Sequence, residues 1–310
     1  MLSNITIKNL GSGVILFENI VSPKECGELI PYLRSLKQKA VLEDYTIIKD
    51  ENGQNVYAIN RSGHRYAIED IETSSSHIMN FLDNNESKEI ELFFEECERA
   101  FQRALMEYVT LYPMVLPSIW WRTPAHVLAY GPNSDMGLHS DNDINYQPGF
   151  EPDLQVATRS VLSAIMYFND SVKTKDEIIE NEYVGGEIEF IYLGIKYAPK
   201  AGDLLMFPSN FLACHEVKKN LYGERYAYVG YYSHGSAQPD RGITINSEGL
   251  LLGRQGQVWM PNVVVDYLKF LEEKYPDKDE VFLANKLFPT RRLYNSTNTQ
   301  KEVEYDKQRS

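Results

Sequence analysis

Tyr130-Gly-Pro-Asn-Ser-Asp-Met-Gly-Leu-His139-Ser-Asp141 sets a histidine and an aspartate two positions apart, and Ala213-Cys-His-Glu-Val217 supplies a second histidine, His215, far downstream. On a strand, side chains two apart project to the same face, so one ion can meet both His139 and Asp141 while His215 arrives from another strand. Two imidazoles and one carboxylate are the set that holds non-haem Fe(II) on one face and leaves the opposite positions open. Hydrolytic zinc enzymes use a similar set around an activated water, so the triad alone does not choose the metal.

The surrounding segments read as short strands. Arg159-Ser-Val-Leu-Ser-Ala-Ile-Met-Tyr-Phe-Asn169, Gly185-Gly-Glu-Ile-Glu-Phe-Ile191 and the apolar end of Pro199-Lys-Ala-Gly-Asp-Leu-Leu-Met-Phe-Pro208 lie between the histidines, with Gly and Asp forming a turn in the last. Arg225 follows His215 by ten positions, inside Gly223-Glu-Arg-Tyr-Ala-Tyr-Val-Gly230, whose aromatic and β-branched residues read as a buried strand. A cation there could face a carboxylate. Short strands separated by turns fit an antiparallel β-barrel or jelly roll.

The order Tyr130, His139-x-Asp141, Gly185-Gly-Glu187, Pro199-Lys-x-Gly-Asp203, His215 and Gly-x-Arg225 resembles the Fe(II)/2-oxoglutarate-dependent dioxygenases, particularly their prolyl 4-hydroxylase-like branch, over roughly residues 118 to 233. The resemblance implies a mainly β fold with flanking helices around a double-stranded β-helix (jelly-roll) core. It implies that His139, Asp141 and His215 bind Fe(II), and that Arg225 pairs with the far carboxylate of 2-oxoglutarate while Tyr130 contacts the same co-substrate. Prolyl hydroxylases usually carry lysine at the cation position; guanidinium can grip a carboxylate through two parallel hydrogen bonds, which keeps the chemistry. With Asp141 filling the position that halogenating relatives leave open, the implied outcome is C–H oxidation by O2, most simply hydroxylation, coupled to decarboxylation of 2-oxoglutarate to succinate and CO2.

Three further residues are substrate candidates. Asp143 could contact substrate or simply form its Asn/Asp-rich turn. Arg159 opens a core strand and could bind an acidic group or make a structural ion pair. Trp120 and Trp121 face opposite sides of any strand they share, so only one can line the pocket, and Trp121 is the candidate. His64, His77, His126 and His234 lack partner spacing and read as ordinary structural or surface residues.

The chain has 310 residues, 43% of them hydrophobic, enough for one large core without a staple. Cys26, Cys97 and Cys214 have no metal-type spacing and fit a reducing interior. A net charge of −13 argues against a nucleic-acid partner. The absence of a long apolar run or a signal-like N-terminus predicts no membrane association and a cytoplasmic location. The expected organisation is residues 1–117 as supporting helices and a hairpin, 118–235 as the catalytic core, 236–294 as a helical extension and 295–310 as a mobile tail. Ser22-Pro-Lys-Glu25 reads as a helix start, residues 87–112 as a long amphipathic helix, and residues 44–48 and 56–59 as a hairpin near the site mouth. The flanking regions favour an enclosed pocket, hence a small-molecule substrate such as an amino acid or natural-product intermediate. A prolyl residue in a peptide, a zinc-type hydrolase and an inactive β-barrel binding module are the alternatives. Monomer and homodimer stay open.

Overall fold

The computed structural model describes residues 5–60, 65–66, 76–78, 87–122, 125–142, 158–235, 244–245, 251–252 and 258–287. Its strands in chain order are β1 (Thr6–Gly11), β2 (Val14–Glu18), β3 (Tyr45–Lys49), β4 (Asn55–Asn60), β5 (Arg65–Tyr66), β6 (Ser76–Ile78), β7 (Trp121–Arg122), β8 (His126–Tyr130), β9 (Met136–His139), β10 (Thr158–Tyr167) and β11 (Ser171–Val172). They continue with β12 (Tyr183–Gly185), β13 (Ile188–Phe190), β14 (Ile195–Tyr197), β15 (Leu204–Pro208), β16 (His215–Val217), β17 (Asn220–Tyr222), β18 (Arg225–Gly235), β19 (Thr244–Ile245), β20 (Leu251–Leu252) and β21 (Val258–Trp259). The helices are α1 (Pro23–Asp44), α2 (Lys88–Leu111), α3 (Val263–Lys274) and α4 (Glu280–Leu287).

Two antiparallel sheets form a double-stranded β-helix. The large sheet runs β1-β2-β15-β10-β18, where β18 then pairs β8 along Arg225–Val229 and β7 along Tyr232–Ser233. The small sheet runs β14-β13-β16-β9. Period-two alternation sorts the large sheet's side chains: along β18, Ala227, Val229 and Tyr231 point into the lumen, while Tyr226, Tyr228 and Tyr232 join the core beneath the helices. Leu128, Tyr130, Ile165 and Tyr167 meet Ile188 and Phe190 of the small sheet in the lumen.

The helices cover the large sheet's outer face. Ser22 Oγ accepts from Glu25 N–H at 3.4 Å at the start of α1, and Leu29 and Leu33 bury one turn apart. Apolar residues at helical spacing put Phe94, Cys97, Phe101, Ala104, Leu105 and Tyr108 of α2 on the sheet, where Phe94 and Phe101 meet Tyr228 at ring-centroid separations of 5.3 and 5.5 Å. Full burial of such a side chain stabilises the fold by about 1.5–3 kcal/mol. The expected hairpin is present as β3–β4, with Asp50 Oδ1 accepting from the amides of Asn52 and Gln54 in its turn; it belongs to a separate β3-β4-β5 sheet. Strands β1 and β2 were not among the strands read from sequence, yet β2 pairs directly with β15 and widens the core sheet.

Gly185, which ends β12, and Gly186, just beyond it, set the geometry beside the lumen. At Gly185 (φ +86°) a Cβ would lie 2.2 Å from the Lys219 carbonyl oxygen, and at Gly186 (φ +65°) it would lie 2.8 Å from Tyr183 Cε2 and 3.0 Å from Arg225 Cδ. Gly185→Ala is therefore expected to destabilise the protein by about 2 kcal/mol or more in urea unfolding. A change below about 0.5 kcal/mol, the size of an ordinary surface substitution, would contradict this close approach.

Candidate metal centre and co-substrate pocket

The pairing of β16 with β9 places His215 directly opposite His139, with ring centroids 4.4 Å apart. Asp141 does not share their strand as the sequence reading expects. The chain leaves β9 at His139 and turns, because Ser140 Oγ–H and the Asn142 amide both donate to the Ser209 carbonyl, at 2.8 and 2.9 Å. That turn, rather than strand alternation, brings Asp141 back. Its Oδ1 lies 3.4 Å from His139 Nε2 and its Oδ2 3.9 Å from His215 Nε2. One ligand atom from each of the three residues lies within 4.8 Å of the others, the spacing of groups that can share an ion.

Both rings are held by backbone. His139 Nδ1 lies 2.8 Å from the Gly137 carbonyl and His215 Nδ1 3.1 Å from the Ala213 carbonyl. A carbonyl can only accept, so each Nδ1 carries the proton and, in the neutral ring, each Nε2 turns a lone pair toward Asp141. Phe190 and Phe207 flank His215 at ring-centroid distances of 5.4 and 5.0 Å. Burial holds the His215 imidazole below its ordinary pKa, against the pull of Asp141, which favours the neutral, ligating form. Burial opposes the charge on Asp141; when the rings also carry a proton on Nε2, hydrogen bonding from His139 and the field of His215 outweigh burial and keep the carboxyl below its usual value.

Arg225 faces Tyr130 across the β18–β8 pairing, and its guanidinium lies 4.8 Å from the Tyr130 ring centroid and 5.3 Å from that of Tyr167. It is 2% exposed, and its Nε has no hydrogen-bond partner. Among the described residues no carboxylate pairs with it. Guanidinium cannot escape by losing its proton, so a dry, unpaired Arg225 is a standing demand for an anion. The buried hydroxyls of Tyr167 and Tyr183 also lack partners. These two, together with the turn-holding Ser209 and the β18-anchoring Asn169, are residues the sequence reading missed. Asn169 accepts from the Tyr226 amide at 3.0 Å and donates to the Glu224 carbonyl at 2.6 Å, clamping the backbone on both sides of Arg225.

Residues 125–233 match the family described as the 2OG-Fe(II) oxygenase superfamily. Over that stretch, about a third of its length, the chain is similar to this superfamily. Members of this superfamily use Fe(II), 2-oxoglutarate and O2. The donor set fits: two neutral imidazoles and a carboxylate suit Fe(II), and the unpaired Arg225 suits a 2-oxo diacid. No curated protein matches the chain. Solved structures that match the chain include the viral collagen prolyl hydroxylase of Paramecium Bursaria Chlorella virus-1, 14% identical, with a TM-score of 0.43 and covering 73% of this chain and 98% of that one. A Trichoplax adhaerens prolyl hydroxylase in complex with a hypoxia inducible factor peptide fragment is 17% identical, with a TM-score of 0.43 and coverages of 71% and 83%. A Pseudomonas putida prolyl-4-hydroxylase is 15% identical, with a TM-score of 0.42 and coverages of 72% and 94%. Likeness at this distance carries no argument about this chain.

Of the substrate candidates, Asp143 lies outside the described residues. Arg159 sits on β10 opposite His234, with its side chain outside the described set. Trp121 is buried on β7 opposite Ser233 and has no ring contact with the histidine pair, while Trp120 is half exposed. Asp141→Ala removes the one anionic member of the triad and is expected to weaken divalent-metal binding by more than about 100-fold in anaerobic calorimetric titration, with the fold retained. Unchanged affinity would place the metal elsewhere.

Proposed function

We propose that this chain is an Fe(II)- and 2-oxoglutarate-dependent oxygenase that hydroxylates a C–H bond of a small molecule, such as an amino acid or natural-product intermediate. In this reading His139, Asp141 and His215 hold the iron, Arg225 binds the far carboxylate of 2-oxoglutarate, and Tyr130 contacts the same co-substrate. The observation that carries it is the buried, unpaired Arg225 on the same lumen face as a ligand-competent His-Asp-His cluster. A zinc hydrolase has no use for that guanidinium.

The bound iron would supply O2 activation, coupled to oxidative decarboxylation of 2-oxoglutarate to succinate and CO2. The protein's own work is positioning and exclusion of water. The Gly137 and Ala213 carbonyls fix each imidazole in the tautomer that ligates. Arg225 orients the co-substrate by its far end, and the Tyr130 ring beneath the guanidinium keeps that charge dry without offering it an anion. Ring walls from Phe190 and Phe207 exclude water from one side of the metal position. The His139, Asp141 and His215 side chains are 22%, 7% and 3% exposed, so the reacting bond must reach into the lumen, which a small molecule does readily.

Anaerobic addition of Fe(II) and then 2-oxoglutarate is expected to give the weak visible charge-transfer band of a chelated 2-oxo acid, and His139→Ala should lose it. Arg225→Ala should retain Fe(II) but weaken 2-oxoglutarate about 100-fold, because it removes the charge partner of a desolvated carboxylate. No band from folded, iron-loaded wild type would overturn the oxygenase reading. Succinate release coupled to a proline-containing peptide, and to no small metabolite, would replace the small-molecule substrate with a peptide.

A further inference from the structure

Tyr183 lies on β12 beside Arg225, and neither motif nor spacing singles it out. It is fully buried, and its hydroxyl has no hydrogen-bond partner. Buried hydroxyls are rarely left unpaired, and one beside another unpaired donor is rarer still. Its ring edge and the Arg225 stem converge on the bare Cα of Gly186: a Cβ there would meet Tyr183 Cε2 at 2.8 Å, Arg225 Cδ at 3.0 Å and Tyr183 Cδ2 at 3.5 Å.

The direction of the phenol is fixed by its backbone. The Tyr183 amide donates to the Asp170 carbonyl at 3.0 Å, β12 pairs with both β11 and β17, and the close approach of Gly223 leaves about 3.1 Å between that residue's would-be Cβ and Tyr183 Cα. Burial pushes the phenol's pKa up, and Arg225 is its strongest neighbouring influence, so at neutral pH it is an uncharged O–H donor. Tyr167, pushed up to about 12 chiefly by burial, is in the same state. Around Arg225 the described residues therefore present a guanidinium and two phenol O–H groups, with no carboxylate paired to the guanidinium.

We propose that Tyr183 is a co-substrate-binding residue, whose hydroxyl donates a hydrogen bond to the same carboxylate that Arg225 binds. This rests on the oxygenase reading above, and it extends the anion site to a side chain reached only through the Gly185-Gly186 turn. The carboxylate then receives a charge-assisted hydrogen bond from outside the β8–β18 pair, and the unpaired hydroxyl is explained.

Tyr183→Phe keeps the ring and removes only the hydroxyl. In anaerobic titrations of the Fe(II) protein it is expected to weaken 2-oxoglutarate by about tenfold or more, the value of one hydrogen bond to a charged group. Fe(II) affinity and melting temperature should stay at the wild-type values. Oxalate, which chelates a metal but has no far carboxylate, should compete with the same affinity in both proteins. Unchanged 2-oxoglutarate affinity in Tyr183→Phe, or an equal loss for oxalate and 2-oxoglutarate, would overturn the proposal. Wild-type protein that holds Fe(II) but binds no 2-oxoglutarate would instead refute the oxygenase reading itself.

Discussion

The antiparallel pairing of β16 with β9 is the constraint on which the site depends. It sets His215 across from His139, and the neighbouring pairing of β13 with β16 sets Phe190 across from His215. Directly opposed residues on one sheet face come within about 4.5–5.5 Å at Cβ, close enough for two imidazoles to share one ion. A slip of one residue would turn His215 out of the lumen and Glu216 into it. The register is held by apolar burial at alternate positions, since Ile188, Phe190 and Val217 are buried while Glu189 and Glu216 reach the surface and share Lys218. Core packing and ligand geometry are thus the same fact seen from two sides of the sheet.

Asp141 obeys a different rule. It lies beyond the strand, so its position depends on the turn that Ser209 holds from the end of β15, with Ser163 and Ser209 hydroxyls 2.7 Å apart beneath it. Strand β15 in turn is held between β10 and β2. The N-terminal strands are therefore tied to the candidate metal position through a chain of pairings: β2 to β15, β15 to Ser209, and Ser209 to the Asp141 turn.

Much of this was legible in the sequence because it is local or strictly ordered. The helix over Lys88–Leu111 follows from apolar spacing, and the β3–β4 hairpin from its Asp-Glu-Asn-Gly turn. The triad follows from residue types in a fixed order along short strands. The unread parts lack such signals. Thr6–Gly11 is largely exposed with no alternation to find, and Val14-Ile-Leu-Phe17 is a short apolar run that suits a buried strand or a helix equally. Tyr167 and Tyr183 are two among 21 tyrosines, and only the fold shows that their hydroxyls converge on one guanidinium. The turn at Asp141 was misread as strand because a His-x-Asp spacing satisfies either geometry.

The unpaired state of Arg225 is maintained by how the nearby carboxylates are occupied. Glu224, its immediate neighbour in sequence, turns outward to Arg34 at 2.8 Å and to the Tyr226 hydroxyl at 2.8 Å. Glu187, next to Gly186, lies 3.4 Å from Lys196. Asp203 accepts from the Tyr197 hydroxyl at 2.5 Å and from the Asn19 amide at 2.8 Å. These three acids are satisfied elsewhere, and among the described residues the neighbours of Arg225 include the rings of Tyr130, Tyr167 and Tyr183, which are bulky, neutral and able to donate. On the proposed function, an internal ion pair would make the folded protein more stable and the pocket useless, because an incoming carboxylate would have to displace a covalently tethered one. A charge left buried and unpaired is a local cost to stability of the kind found at binding sites, and here the rest of the core, from the α2 face to the strands on either side of β18, is what holds it in place.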